Sequence, residues 1–216
     1  LRFFQLSGAP SYTCAKKISS FDTSFFWPIQ TSLLTCDWAK LNAVISLAWA
    51  RNMCNIFSLI PSKKLVLDLA CGSGRNTRFL LDKGYTVMAL DKDVSQIADI
   101  SGKPNLEIYK FDLETDVKFP FYEREFVGIV VTNYLYRPLF ADLINALSHG
   151  GVLIYQTFMI GNEAYGRPSN PNFLLKENEL NDTFAKKLDV VAFEEGYVES
   201  PDPAVVQRIC AINRKF

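Results

Sequence analysis

Short apolar runs rich in Val, Leu and Ile recur from residue 64 onward, each bounded by glycine, proline or acidic residues. Their length and composition are typical of buried strands, and they alternate with segments of helical pattern. The pattern predicts seven strands, at 64–69, 86–90, 106–110, 126–132, 152–158, 188–193 and 205–213. It predicts helices at 76–83, 94–100, 138–147 and 177–187. Strands that alternate with helices indicate an α/β fold, a doubly wound and mostly parallel sheet with helices on both faces.

The last two predicted strands have no helix between them. The connection, around Gly196, Pro201 and Pro203, is rich in turn residues. Two strands joined in this way pair only as an antiparallel hairpin. We therefore expect a seven-stranded sheet with an antiparallel C-terminal hairpin strand at its edge.

The first sixty residues differ from the rest, because all three tryptophans, Trp27, Trp38 and Trp49, lie there. The last two are about three helical turns apart, so one helix places them on one face, either as a core stripe or as an aromatic lid. The predicted organisation is an N-terminal extension at 1–37 of unknown role and a domain at 38–216. That domain divides into an N-terminal helix at 38–60 and a sheet core at 61–216.

The most apolar stretch, residues 41–60, is interrupted by Asn42, Arg51, Asn52 and Asn55. A membrane-spanning helix needs about 18 or more predominantly apolar residues. We therefore interpret this stretch as a helix packed on protein, and we expect no membrane span.

The chain of 216 residues has 23 basic and 23 acidic side chains, so its formal net charge is zero. Residues 1–21 hold three of the basic groups and no acid, which leaves a net charge of −3 on residues 22–216. A nucleic-acid partner is disfavoured, since such proteins usually carry a basic excess. The basic N-terminus is typical either of a weak organelle-targeting segment or of a loosely attached tail.

Histidine and cysteine usage limits the metal and redox chemistry. The single histidine, His149, excludes a metal site that needs two histidines, and we expect no metal. The five cysteines are odd in number and none has Cys-x-x-Cys spacing. A reducing compartment, and hence a cytoplasmic location, is expected.

In an open parallel sheet, ligands bind beyond the carboxyl ends of the strands. The first strand ends with Asp68 and continues into a turn with Gly72 and Gly74, where the backbone can approach a ligand closely. No P-loop string is present, and Thr77 occupies the third glycine position of a dinucleotide motif. A carboxylate facing a pyrophosphate would repel it, so Asp68 favours a ligand with a cation or an amine.

Acids also follow the next two strands, Asp91 after the second and Asp112 after the third. A carboxylate can accept hydrogen bonds from both hydroxyls of a ribose, and another can accept one from an adenine amino group. Each acid alone is equally well explained as a cap or turn residue. Together with Asp68 they describe one elongated ligand with an amine or sulfonium end, a ribose and an adenine.

The turn after the first strand reads Asp68-Leu69-Ala70-Cys71-Gly72-Ser73-Gly74. It resembles motif I of the class I S-adenosylmethionine-dependent methyltransferases, and Asp91 and Asp112 match that family's ribose-binding and adenine-contacting acids. The resemblance covers roughly residues 50–214 and is greatest to the small tellurite-resistance and thiopurine-type enzymes. It implies the Rossmann-like methyltransferase fold, with S-adenosylmethionine as cofactor and S-adenosylhomocysteine as product. The cofactor-binding residues it implies are Asp68, Ala70, Cys71, Gly72, Gly74, Asp91, Lys92, Asp112, Leu113 and Asn133.

The segment after the fourth strand, Asn133 to Arg137, bears on the methyl acceptor. It lacks the prolines of the Asn-Pro-Pro-Tyr motif that methyltransferases of nucleic-acid amino groups usually carry, which disfavours a flipped base. Tyr134 and Tyr136 either face the acceptor or pack on the cofactor. Arg137 begins a predicted helix, where a cation opposes the dipole, so we expect either an acidic partner such as a substrate group or a solvated side chain.

The loop 160–173 after the fifth strand is long, polar and placed at the ligand edge. One interpretation is a binding loop in which Glu163, Tyr165 and Arg167 hold the acceptor; the other is a surface loop made rigid by its prolines. His149 is interpreted as a turn residue. Cys71 is expected to line the cofactor turn through its backbone, since the nearby acids disfavour a thiolate.

The sequence therefore predicts an S-adenosylmethionine-dependent methyltransferase that acts on a small molecule. Its acceptor-side residues are expected to be Tyr134, Tyr136 and Arg167. The alternatives are an RNA or protein methyltransferase and a module that binds the cofactor without turnover.

Overall fold

The computed structural model describes residues 54–61, 64–115, 119–121, 124–199 and 202–214. The predicted extension at 1–37, all three tryptophans and most of the predicted helix at 38–60 lie outside these ranges. The seven strands are β1 Leu65–Leu69, β2 Thr86–Asp91, β3 Leu106–Lys110, β4 Phe126–Thr132, β5 Leu147–Phe158, β6 Asp189–Val198 and β7 Ala204–Ile212.

Helices cover both faces of the sheet and are short. The α-helices are α1 Cys54–Phe57, α2 Arg75–Asp82, α3 Phe140–Ala146 and α4 Glu179–Phe184. Single or double turns of 3-10 helix occur at Ser95–Ile100, Arg137–Leu139, Asn162–Ala164 and Pro171–Phe173. The helix predicted at 94–100 is therefore a 3-10 helix, and the one predicted at 138–147 is a 3-10 turn followed by α3.

The strand order in the sheet is β3-β2-β1-β4-β5-β7-β6. Strands β1 to β5 pair in parallel, and β7 runs antiparallel to both β5 and β6. The chain winds outward in one direction through β1, β2 and β3 and in the other through β4 and β5. The order reverses between β1 and β4, and the crevice beyond the carboxyl ends of these two strands is the place where such sheets bind ligands.

Side chains alternate along each strand between two cores, one on each face of the sheet. Val66 and Val130 pack on the face that carries α2, with Leu80 and Ile97. Leu67 and Ile129 pack on the opposite face. On that face the aromatic rings of Phe140, Tyr155 and Phe184 lie 5.3–6.0 Å apart. A sheet buried on both faces explains why its strands read as continuous apolar runs in the sequence.

The predicted α/β fold with a seven-stranded, mostly parallel sheet and a C-terminal hairpin is confirmed. The expected position of the antiparallel strand was wrong, because β7 lies between β5 and β6 and β6 forms the edge. This order lets β7 bury its apolar residues against both neighbours, and seven of its nine residues are buried.

Two strand boundaries also differ from the prediction. β5 begins at Leu147, so His149, which was predicted to lie in a turn, is within the strand together with Gly150 and Gly151. Gly150 adopts a left-handed φ of 75° there, and its N–H donates to the Asn213 carbonyl over 2.6 Å. β6 continues to Val198. Gly196, which was predicted to lie in the turn, is instead part of the strand and pairs with Val206 of β7. Among the described helices, none is long and apolar enough to cross a membrane.

Candidate functional site

A cleft of about 500 Å³ opens where the strand order reverses. Its walls are the segments that follow β1, β2, β3 and β4. The first two segments contribute Ala70, Cys71, Gly72, Asp91 and Lys92. The last two contribute Asp112, Leu113, Asn133 and Tyr134. Eight of the ten predicted cofactor residues thus line one cleft. Asp68, in β1, and Gly74, at the end of the turn, are outside its lining.

The turn after β1 bends sharply because three residues in it adopt positive φ. These are Ala70 at 55°, Gly72 at 52° and Gly74 at 74°. A Cβ at Gly72 would meet open space, whereas one at Gly74 would overlap the side chain of Ile97. Gly74 therefore permits both the turn and the close packing of α2 against the 3-10 helix at Ser95–Ile100.

Asp91 connects the first two strand ends. Its Oδ2 accepts the N–H of Gly72 over 2.8 Å, and its Oδ1 accepts the N–H of Asp93 over 3.0 Å. Each carboxylate oxygen can accept two hydrogen bonds, so each still has one acceptor position after these contacts. The carboxylate lines the cleft and can receive donors from a bound ligand.

Asp68 is a buried carboxyl beneath the turn, only 1% exposed. Its Oδ2 accepts the Thr77 hydroxyl over 2.5 Å, while its Oδ1 has no hydrogen-bond partner among the described residues. Burial raises the pKa of Asp68 to about 6, against the lowering effect of bonds from Thr77 and Asn76 and of the charge of Arg75. A buried carboxyl oxygen without a hydrogen-bond partner lowers the stability of the unliganded fold. A nearby cation or hydrogen-bond donor stabilises it.

Cys71 contributes its backbone to the turn, with its N–H donating to the Leu90 carbonyl over 3.1 Å. Burial, together with the charges of Asp68 and Asp91, raises the pKa of its thiol to about 12. The thiol is therefore protonated at neutral pH and is not a nucleophile, as the sequence predicted.

The segment after β3 forms the far wall of the cleft. Asp112 is exposed, and its Oδ1 accepts the N–H of Glu114 over 3.0 Å, which leaves Oδ2 for a ligand. Leu113 is buried and presents an apolar surface to the cleft, next to Phe111. A flat heterocycle between apolar side chains and a carboxylate is the kind of ligand that this wall fits.

The segment after β4 is fixed from below. Asn133 adopts a left-handed φ of 57°, and its N–H donates to the Gln156 carbonyl over 2.8 Å. The buried Tyr155 donates its hydroxyl to the Tyr134 carbonyl over 2.9 Å. Burial, followed by the charge and hydrogen bond of Glu114, raises the pKa of the Tyr134 phenol. Tyr134 therefore faces the cleft as a neutral hydrogen-bonding phenol, not as a phenolate base.

Tyr136 lines neither this cleft nor the second one described below, and it packs against the core on the α3 face. Arg137 points to an internal partner, not to the cleft. Its Nε and Nη2 bind both carboxylate oxygens of Glu179 over 2.5 and 2.9 Å. It also donates to the carbonyls of Asn172 and Leu174 over 3.0 and 2.9 Å. The expected acidic partner of Arg137 is thus Glu179, and the substrate interpretation of this arginine was wrong.

A second cleft, of about 280 Å³, adjoins the first. Arg75 and Asn133 line both. The loop 160–173 contributes Tyr165 and Arg167 to its lining. Glu163 has a different role, because its Oε2 accepts the N–H of Gly161 over 2.8 Å and closes a local turn.

Several lining residues were not predicted. In the first cleft they include Arg75, Asn76 and Thr132, and Asn76 donates to the Thr132 hydroxyl over 3.0 Å. In the second they include Gln156 and Arg208. The signal for Arg208 was the strand direction. An antiparallel β7 starts at the carboxyl edge of the parallel strands, so its first half, up to Arg208 at its centre, runs from the ligand edge.

The family model described as tellurite resistance protein TehB matches residues 51–200 of the chain. No curated protein sequence gives a significant match.

Solved structures with the same fold include TehB from Haemophilus influenzae, at 21% identity and a TM-score of 0.57, over 79% of this chain and 61% of that one. An S-adenosylmethionine-dependent methyltransferase from Mesorhizobium loti is 17% identical, with a TM-score of 0.57, over 74% and 96% of the two chains. A Burkholderia thailandensis 1,6-didemethyltoxoflavin-N1-methyltransferase, solved with its substrate and S-adenosylhomocysteine, is 16% identical, with a TM-score of 0.56, over 87% and 94%. These likenesses show that the fold is that of the class I S-adenosylmethionine-dependent methyltransferases.

Proposed function

This chain belongs to the tellurite resistance protein TehB family, and from that premise we propose that it is an S-adenosylmethionine-dependent methyltransferase of the EC 2.1.1 type. The methyl acceptor that we propose is a small molecule. The chain spans 61% of the length of the Haemophilus influenzae relative. The proposed activity therefore rests on residues of this chain.

The observation that carries the proposal is the cleft at the strand-order reversal, where the Gly72 N–H is bonded to a carboxylate of Asp91 that still has acceptor positions. Asp91 is suited to the two hydroxyls of the cofactor ribose. Asp112 and Leu113, on the far wall, are suited to the adenine amino group and to its ring face. The open space at Gly72 lets the ligand approach the backbone, where a side chain would block it.

Asp68 is the residue whose surroundings bear on whether the methionyl end of the cofactor fits this site. Its Oδ1 is buried without a described partner and lies beneath the turn, so a positively charged ammonium or sulfonium nearby offsets the cost of its burial. Lys92 and Asn133, also at the cleft, complete the set of residues that we assign to the cofactor. A pyrophosphate would meet repulsion from the same carboxyl.

When bound, S-adenosylmethionine supplies a methyl group on a sulfonium: the acceptor's lone pair forms a bond to that carbon while the carbon–sulfur bond breaks, leaving S-adenosylhomocysteine and any displaced proton. The protein's task is then mainly to align the acceptor and exclude water. Tyr134, a neutral phenol at the cleft, is proposed to orient the acceptor by hydrogen bonding. Its raised pKa makes it a poor general base.

A small acceptor is supported by the net charge of −3 on residues 22–216, which opposes an RNA groove. The family name makes tellurite one acceptor to test. The related Burkholderia thailandensis enzyme is named for a small heterocyclic substrate. The described thiols, Cys71 and Cys210, are free and buried, which fits a reaction in the reducing cytoplasm.

Incubation of the purified chain with S-adenosylmethionine labelled on the methyl group tests the proposal. The acceptors are small-metabolite, RNA and protein fractions from cells, with tellurite as a separate sample. We expect label in the metabolite or tellurite sample. Label only in RNA or protein would contradict the acceptor class. Cofactor binding with no transfer to any sample would leave a binding module and overturn the enzymatic proposal.

A further inference from the structure

The second cleft is placed where a methyl acceptor has to bind. It shares Arg75 and Asn133 with the first cleft, so a molecule inside it borders the proposed cofactor directly. Its volume of about 280 Å³ equals roughly nine water molecules at about 30 Å³ each, which suits a small organic molecule. The position beside the proposed cofactor and the size both suit a small acceptor.

Charge in this cleft is predominantly positive. Three arginines line it, Arg75, Arg167 and Arg208, against one carboxylate, that of Asp202. Arg208 is only 7% exposed, and its ion pair with Glu194 is long, at 3.7 Å. Arg75 begins α2, where a cation opposes the helix dipole. Three guanidinium groups around one cavity attract an anion, and the planar guanidinium matches an oxyanion group.

The remaining lining is apolar. Phe158, Ala204 and Val206 lie on the two paired strands β5 and β7. Tyr165 stands at the rim and packs against Tyr197, with the ring centres 5.1 Å apart. Both rings are about half exposed. An acceptor with a flat, apolar body would bury these surfaces.

The cleft is built by ordered contacts. Asn162, 2% exposed, accepts the N–H of Val205 over 3.1 Å and donates to the Pro168 carbonyl over 3.3 Å. These two bonds fasten the loop that carries Tyr165 and Arg167 to the start of β7, which leads to Arg208. Apolar and cationic side chains therefore line one preformed cavity.

We infer that the second cleft binds the methyl acceptor, and that this acceptor is a small organic anion with a flat apolar body. Its carboxylate or phosphate is held by Arg167 and Arg208, and its body lies against Phe158, Val206 and Tyr165. Arg75, at the junction of the clefts, faces the end nearest the cofactor. The inference rests on the proposed function for the identity of the neighbouring ligand.

Matched probes test this inference without turnover. The full chain is first saturated with S-adenosylhomocysteine, and binding of that product is measured separately. Benzoate, phenyl phosphate and benzamide are then titrated and followed by ligand-observed NMR. Benzoate and benzamide have the same ring and nearly the same shape, and they differ in charge. We expect saturable millimolar binding of benzoate and phenyl phosphate, at least ten-fold tighter than that of benzamide.

The variant Arg167→Ala should weaken benzoate binding five-fold or more, with S-adenosylhomocysteine binding unchanged. Arg78→Ala removes the same charge from an exposed arginine that is paired with Asp99 and lines neither cleft, so it should leave benzoate binding unchanged. Arg208→Gln serves as a second variant if its thermal unfolding matches the parent.

Three results would overturn the inference. Benzoate and benzamide could bind equally well, Arg167→Ala and Arg78→Ala could have equal effects, or no probe could show saturable binding. Failure of S-adenosylhomocysteine to bind would instead overturn the proposed function, and the acid–amide comparison would still report on the second cleft by itself.

Discussion

The backbone N–H of Gly72 donates to the carboxylate of Asp91 over 2.8 Å, which joins the turn after β1 to the end of β2. The two residues are nineteen positions apart and belong to the two segments that sequence patterns most often associate with this cofactor. The hydrogen bond fixes the distance between these two segments. It also means that the turn after β1 is held in place by Asp91, the residue that we assign to the ribose.

Asp91→Ala should weaken S-adenosylmethionine binding by about 1–3 kcal/mol, since it removes the acceptor for ribose hydroxyls and for the Gly72 N–H. This corresponds to a loss of about five- to 150-fold in affinity. Isothermal calorimetry measures it, with Asp91→Asn as a more conservative variant. Asp99→Ala is the matched control, because Asp99 is exposed and bound to Arg78 outside both clefts. Equal affinities of the Asp91 and Asp99 variants would refute the ribose assignment.

Gly74→Ala should destabilise the fold by about 2 kcal/mol or more, because Ala tolerates the φ of 74° poorly and its Cβ would overlap Ile97. Urea unfolding gives the free energy. Gly102→Ala is the control, since a Cβ there meets no atom within 4 Å and its φ is not left-handed. In an Ile97→Ala background the penalty of Gly74→Ala should shrink by its steric part only, as a double-mutant cycle measures. A Gly74 variant as stable as the Gly102 variant would contradict the packing described.

The buried Asp68 should make the unliganded fold less stable as the pH rises from about 4 to 6. Its pKa is raised from 3.8 to about 6 by burial, so the native state holds a proton that the unfolded chain has released. The stability that this proton provides is present below pH 4 and lost through pH 6, and the shift corresponds to about 3 kcal/mol.

The measurement compares urea unfolding of the parent and of Asp68→Asn across this range. The free-energy difference in favour of the variant should grow up to about pH 6 and then level off. A difference that does not change with pH would show that Asp68 is ionised in the fold throughout.

Arg137→Ala should cost about 1–3 kcal/mol of stability, because Glu179 and the carbonyls of Asn172 and Leu174 lose a shared donor. Arg137→Lys should recover part of it, since an ammonium cannot reproduce the two-pronged contact. Urea unfolding reports the loss, and proteolysis of the loop 160–173 should accelerate. Arg124→Ala, which removes a more exposed pair with Glu107, should cost less. The reverse ranking would argue against Arg137 as the anchor of that loop.

Tyr134→Phe should leave the pH dependence of the transfer rate unchanged below about pH 10, because the phenol of Tyr134 is protonated throughout that range. If Tyr134→Phe instead abolished a rise of the rate with increasing pH, this phenol would be identified as a general base, because such a base acts only when it is deprotonated. Tyr136→Phe is the control, since Tyr136 lines neither of the two clefts among the described residues.

Much of the fold could be predicted because its parallel strands are buried on both faces and read as uninterrupted apolar runs. The strand ends then placed the acids. The order of β6 and β7 could not be predicted, since it depends on which strand packs best against β5, a comparison between segments far apart in the chain. The sequence also placed His149 in a turn, whereas in the structure it lies within β5, in the irregular stretch between the Phe126–Leu147 and Gly128–Val152 pairs.

Arginine partners were the least predictable part of the site. The sequence marked Arg137 as a cation at a helix start without identifying its partner, and it did not single out Arg208. Folding brings Arg137 to Glu179, which is forty-two positions away in the chain. It brings Arg208 to the wall of the second cleft. The local sequence pattern indicates backbone turns, helix caps and which side of a strand or helix is buried. The partners of these arginines depend on contacts between segments that are distant in the chain.

Equilibrium dialysis of the purified chain against radiolabelled S-adenosylmethionine tests the central claim most directly. The account predicts saturable binding at one site per chain, competed by S-adenosylhomocysteine and weakened by Asp91→Ala but not by Asp99→Ala. Absence of saturable binding at millimolar cofactor, from a chain that unfolds cooperatively, would contradict it.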